Sequence, residues 1–232
     1  MPPKPRLLHY LDSLTIVMMA IATTLVFFYA PVERVMGLVQ KVFYFHVAAN
    51  WVGMLGFIVA AGAGIAYLVS GHLKWDVMEV ASVEIGMVFS LIGIITGSIW
   101  ARPVWNTWWT WDPRLVTVTI MELVYAAYLM LRQGLDEPER RARFGAVYAI
   151  VGVLSVPLTF LSIRLFRTIH PVVIGNASPL SQGGFNMSPR MLRIFFFSLI
   201  TFTVLYADLL WHRTRLGHLA AKIERLRIQT MQ

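Results

Sequence analysis

The 232-residue sequence has no cysteine, which excludes structural disulfides, thiolate metal sites, a CxxC redox pair and heme attached covalently through CxxCH. Charge is also scarce, at 14% of residues where a soluble domain of this size carries about one quarter. Acidic residues are fewest, 12 Asp and Glu against 20 Lys and Arg. In a soluble chain that excess would suggest a nucleic-acid partner. Here the basic residues sit in short gaps between apolar runs, where they act as topology signals, and no nucleic-acid partner is expected. With 57% hydrophobic residues and a mean hydropathy of +0.65, the chain reads as a membrane protein.

Six apolar segments approach the length needed to cross about 30 Å of hydrocarbon. They are 11–31, 43–70, 78–99, 114–131, 144–164 and 191–211. This predicts an all-α, six-transmembrane-helix bundle. The first segment follows Lys4 and Arg6, but its apolar run is too long for a signal-peptide core and lacks an A-x-A site. It reads as an uncleaved span. Lys and Arg number 12 in the N-terminus, the second and fourth gaps and the tail, against 8, including Arg34, in the other three gaps. That balance favours both termini in the cytoplasm of a multi-pass inner-membrane protein. Residues 1–211 then form the membrane domain and 212–232 a basic amphipathic cytoplasmic tail. Gly56, Ala60 and Gly64 mark close helix packing, and Pro157 a kink in the fifth span. Glu79, Glu84, Glu122 and Asp208 lie in or near spans, where acids face the bundle interior. Glu84 and Glu122 read as helix anchors or as parts of a polar path.

The segment WNTWWTWDPRL (105–115) places four tryptophans in seven positions. On a helix, Trp105, Trp108, Trp109 and Asp112 share one face. Pro113 suits the first position of the fourth span, with Asp112 as its N-cap. The expectation is a short, outer-face, amphipathic Trp-rich helix, a tight corner and a transmembrane helix. A belt of interfacial tryptophans needs no such density, so the segment reads as an aromatic platform for a large planar ligand. Arg102 and Arg114 flank it as candidate partners for ligand carboxylates, or as topology charges. Among six histidines, His46 (KVFYFHVAANW) and His170 (RTIHPVV) fall at the same outer level, where two imidazoles from different elements suit a heme iron. Zinc is disfavoured, since no HExxH and no third outer ligand is evident.

These blocks resemble the tryptophan-rich WWD family of heme-handling proteins in cytochrome c biogenesis: the Trp segment its signature, KVFYFHVAANW and RTIH the blocks around its two histidines. Length and six spans are similar to the heme exporter protein C branch. Three positions depart from the family pattern: Asn106 for a glycine, Ala48 for a proline and Pro171 for a glutamine. The resemblance implies non-covalent b-type heme, with His46 and His170 as axial ligands. It places Trp105, Trp108, Trp109, Trp111 and Asp112 in the heme-presenting segment. It also implies transfer to the heme chaperone CcmE, beside the ABC-type subunits CcmA and CcmB and the small subunit CcmD. Nothing in the sequence indicates catalysis. A transmembrane heme or solute transporter subunit is the alternative, and it would use Glu84 and Glu122 in a polar path. An electron-transfer heme anchor would place its histidine pairs inside the spans.

Overall fold

The computed structural model describes residues 3–32, 36–173, 179 and 187–230, excluding the side chain of Ile228. Arg34 lies outside the described residues. Seven α-helices follow in order: α1 (Arg6–Thr24), α2 (Val42–Ser70), α3 (Leu73–Trp105), α4 (Pro113–Gln133), α5 (Pro138–Gly152), α6 (Ser155–Leu165) and α7 (Pro189–Thr230). A π-helical turn, Leu25–Tyr29, prolongs α1, and a 3-10 turn, Leu38–Lys41, leads into α2. Six helical stretches are long and apolar enough to span a membrane: Arg6–Tyr29, Leu38–Ser70, Leu73–Trp105, Pro113–Gln133, Pro138–Leu165 and Pro189–Arg227. A helix satisfies its backbone polar groups within a single segment in hydrocarbon, which is why apolar runs located the spans.

Punctuation follows local chemistry. Gly71 ends α2 in the left-handed region (φ 67°), its N–H donating to the Tyr67 carbonyl at 2.8 Å. The fifth span breaks at Val153–Leu154 into α5 and α6, as expected from Pro157, whose ring clashes with the carbonyl four residues back. The last helix has 42 residues, about 63 Å at 1.5 Å per residue, twice the hydrocarbon thickness. Residues 212–230 therefore continue the final span without a break and carry the basic stripe beyond it.

The longest interface joins α2 and α3, and it runs on small residues. A Cβ on Gly56 would lie 2.9 Å from the Gly86 Cα, and one on Gly53 3.1 Å from the Ser90 nitrogen. Gly64 meets Ala146 of α5 in the same way. The small-residue spacing read from the sequence thus serves close backbone approach. Phe57 of α2 stacks on Tyr125 of α4, centroids 3.7 Å apart. At the end of the bundle that holds Gly71, Arg132 of α4 grips Asp76 of α3 with two hydrogen bonds, 2.6 and 3.0 Å. Tyr128 donates to the buried Glu79 at 2.7 Å. Glu84 pairs with Arg213 of α7 at 2.6 Å, making it a helix anchor.

Candidate functional site

At the opposite end, α3 stops at Trp105 because Asn106 adopts the left-handed conformation (φ 55°, ψ 26°). Asn tolerates this better than most non-glycine residues, so the helix ends in this turn without a glycine. The Arg102 guanidinium donates to the Asn106 carbonyl and to its Oδ1, closing the helix end. From Asn106 to Asp112 the chain is not helical. The expected Trp-rich helix is therefore corrected: the tryptophans sit on the last turn of α3 and an irregular corner. Two causes act together. Pro113 holds Asp112 in extended backbone (φ −66°, ψ 143°), and the Thr107 hydroxyl donates to the Trp109 carbonyl at 2.8 Å, an alternative to helical bonding.

The corner lines a cavity of about 700 Å³, within the range of sites for small molecules and cofactors. His46, Trp105, Trp108, Trp109, Arg114 and His170 all contribute to its wall. His46 comes from the second turn of α2 and His170 from the segment after α6. Aromatic rings link them: His46 to Trp100 (centroids 5.9 Å), Trp100 to Trp105 (6.0 Å) and Trp105 to His170 (5.6 Å). Trp111 and Arg102 do not line the cavity. Trp111 is 79% exposed and meets Trp109 edge-on at 6.1 Å.

Each histidine is positioned through a second group. His46 Nδ1 donates to the Gly93 carbonyl at 3.0 Å, which assigns its proton and leaves Nε2 with the lone pair. The ring fits because α3 carries glycine opposite it: a Cβ on Gly97 would fall 2.9 Å from His46 Cε1. Gly93 makes the same room for Asn50.

Asp112 stands behind the cavity wall, 7% exposed, and joins two segments 56 residues apart. Its Oδ1 accepts from the Arg114 amide (2.9 Å), the expected N-cap of α4, and from the Thr168 hydroxyl (2.8 Å). Its Oδ2 accepts from the Ile169 amide at 2.8 Å. His170 Nδ1 lies 3.4 Å from Oδ1, beyond a well-formed hydrogen bond. Burial pushes the Asp112 carboxyl up. The nearby His170 ring and the bonds from Ile169, Thr168 and Arg114 outweigh it and hold the carboxyl at about 2.

Sequence reading missed Trp100, Arg164, Asn50 and the Gly93/Gly97 pair, all on the cavity wall. The glycine pair, spaced four apart like Gly56 and Ala60, was visible as a close-approach signal. Arg164 and Trp100 carried none that separated them from other arginines and span tryptophans. Arg114 extends into the wall, donates to the Thr159 carbonyl and lies 5.4 Å from the Phe160 ring centre.

The fold and the cavity define a polytopic helical membrane protein with an aromatic pocket, bearing two imidazoles and two guanidiniums, at one end of its bundle. Residues 3–229 match the family model described as heme exporter protein C. Over 230 residues the chain is 32% identical to heme exporter protein C of Bradyrhizobium diazoefficiens, covering 98% of this chain and 82% of that one. Identity to the Escherichia coli K12 protein of the same name is 31% over 148 residues, 62% and 59% of the two chains. A Marchantia polymorpha mitochondrial protein, named as ccmC-like and of cytochrome c biosynthesis, is 28% identical over 173 residues, 75% and 71% of the two chains. The chain belongs to the heme exporter protein C family.

Proposed function

We propose that this protein binds non-covalent, b-type heme in the aromatic cavity and presents it to a heme chaperone of the CcmE type during cytochrome c maturation. The observation that carries this reading is the convergence of His46 and His170, joined through Trp100 and Trp105, on one cavity wall. The residues fit the ligand. Indole and phenyl rings supply flat apolar contact, and Arg114 and Arg164 stand on the wall as partners for carboxylates. Heme, when bound, would supply an iron that imidazole nitrogens can ligate. His46 would hold it as a neutral imidazole, its Nδ1 proton engaged by Gly93 and its Nε2 left to ligate. His170 is held beside it by the Asp112 clamp on Thr168 and Ile169. Asp112 is thus a positioning residue. Trp108 and Trp111, 58% and 79% exposed, offer the chaperone an aromatic surface beside the cavity mouth.

The charge balance of the gaps orients both termini to the cytoplasm and the cavity to the outer face of the inner membrane. CcmA, CcmB and CcmD are the expected membrane partners. Glu84 is engaged by Arg213, which favours presentation over a polar transport path.

The test is the absorption spectrum of the purified membrane protein titrated with hemin. A heme band that is lost in the His46→Ala, His170→Ala double variant is expected. A band of unchanged position and strength in that variant refutes the assignment.

A further inference from the structure

The cavity is far deeper than a surface platform needs. Its wall reaches Met54 of α2 and Thr203 of α7, about 18 and 21 Å along those helices from their first residues at 1.5 Å per residue. The wall thus runs more than three helical turns into the bundle along both helices. Among the described residues, the cavity also has a flank, between α6 and α7, that helix packing does not close. On the described residues α6 packs chiefly on α4, and α7 on α1, α2 and α3. Phe160 of α6 and Phe196 and Ile200 of α7 line the cavity and are yet 49%, 48% and 56% exposed. They lie about 8, 10 and 16 Å along their helices from the rim ends, within stretches apolar enough to span a membrane.

Charge is graded along the same axis. Arg164, next to last in α6, sits at the rim, and Arg114, second residue of α4, reaches from the rim to the Thr159 carbonyl. Below them the wall is apolar, with Asn50 and Thr203 among the few polar groups. A flat amphiphile resting in the adjacent leaflet has the same grading, with carboxylates among the headgroups and an apolar body among the chains.

We infer that the gap between α6 and α7 is a lateral portal, through which heme enters the cavity edge-first from the surrounding leaflet. This rests on the heme-binding reading above. The match of orientation explains the arrangement. Carboxylates already at headgroup level slide onto Arg114 and Arg164, and the apolar edge never crosses water. A ligand arriving from the aqueous face would need neither the deep wall nor the open flank.

The absence of cysteine allows a direct test. The Phe160→Cys, Ile200→Cys double variant, reconstituted in lipid nanodiscs, is sealed across the portal with a short bismaleimide. Hemin or iron-free protoporphyrin is added in donor liposomes. Uptake is followed by the hemin band and by porphyrin fluorescence, the second independent of iron ligation. Sealing is expected to slow uptake at least tenfold relative to the same variant without cross-linker. Hemin loaded before sealing should stay trapped. Ile200→Trp, which fills the gap without chemistry, should slow uptake several-fold. Equal uptake rates in sealed and unsealed protein overturn the portal and leave the binding reading intact. If the unsealed variant and the unmodified protein hold no hemin in either order of addition, the binding reading fails, and the portal with it.

Discussion

Replacing Asp112 tests the architecture of the site most sharply. In Asp112→Ala, α4 loses its N-cap, worth about 1 kcal/mol. The Ile169 amide and the Thr168 hydroxyl lose their acceptor, and each group left buried and unpaired costs about 1–3 kcal/mol. Allowing for partial relaxation, roughly 2–4 kcal/mol should be lost. The shift of the carboxyl, which arises from the same bonds, gives a figure of the same order. It is lowered from 3.8 to about 2 in the folded protein, a difference near two units at about 1.4 kcal/mol each, or roughly 2–3 kcal/mol. Because the folded value is the lower one, this stabilisation is complete above about pH 4 and vanishes as pH falls through about 2. Asp112→Asn separates the two roles. An amide oxygen at the Oδ1 position still accepts from Arg114 and Thr168, while its NH2 faces the Ile169 amide, so the cap survives and the His170 segment is released. Denaturant or thermal unfolding in detergent should show a smaller loss for Asn than for Ala. Hemin titration should show loss of the His170 contribution in both. An Asp112→Ala protein as stable as the unmodified one, with its heme band unaltered, would refute the clamp.

Gly97→Val places a branched side chain where even a Cβ would lie 2.9 Å from the His46 ring. The heme band should weaken at least as much as in His46→Ala while gel-filtration behaviour is retained; an undisturbed band argues against that packing. Arg132→Ala leaves Asp76 and Glu79 buried without their cation and should cost about 3–5 kcal/mol, read as a lower unfolding temperature, with hemin affinity at the far end spared. Glu84→Gln keeps a hydrogen bond to Arg213 but loses the ion pair, which is partly exposed, so a loss under about 1 kcal/mol and normal heme loading are expected. Defective heme loading with normal stability would revive the polar-path reading.

Much of this molecule was legible from one dimension. Spans are readable because a bilayer sets their length and forbids unsatisfied backbone, so apolar runs and basic gaps located all six. Pro157 and Pro113 announced a break and a helix start because proline acts through its own ring, whatever surrounds it. The Trp segment shows where such reading ends. Its spacing fitted a helical face, yet the left-handed turn at Asn106, the hydroxyl of Thr107 and the extended Asp112 keep it irregular. Trp105, Trp108 and Trp109 reach the cavity by another path, and Trp111 does not reach it.

Residue type alone placed His46, His170 and the tryptophans at one level, because position along a span is a coordinate of depth. Which way each side chain turns around its helix, and what it meets, is a property of packing. Gly97 opposite His46, Asp112 bonded to Thr168 and Ile169, Arg164 on the wall and Arg102 off it all depend on contacts between segments distant in sequence. Hydrophobic length sets depth locally, whereas lateral position is settled only when the helices come together.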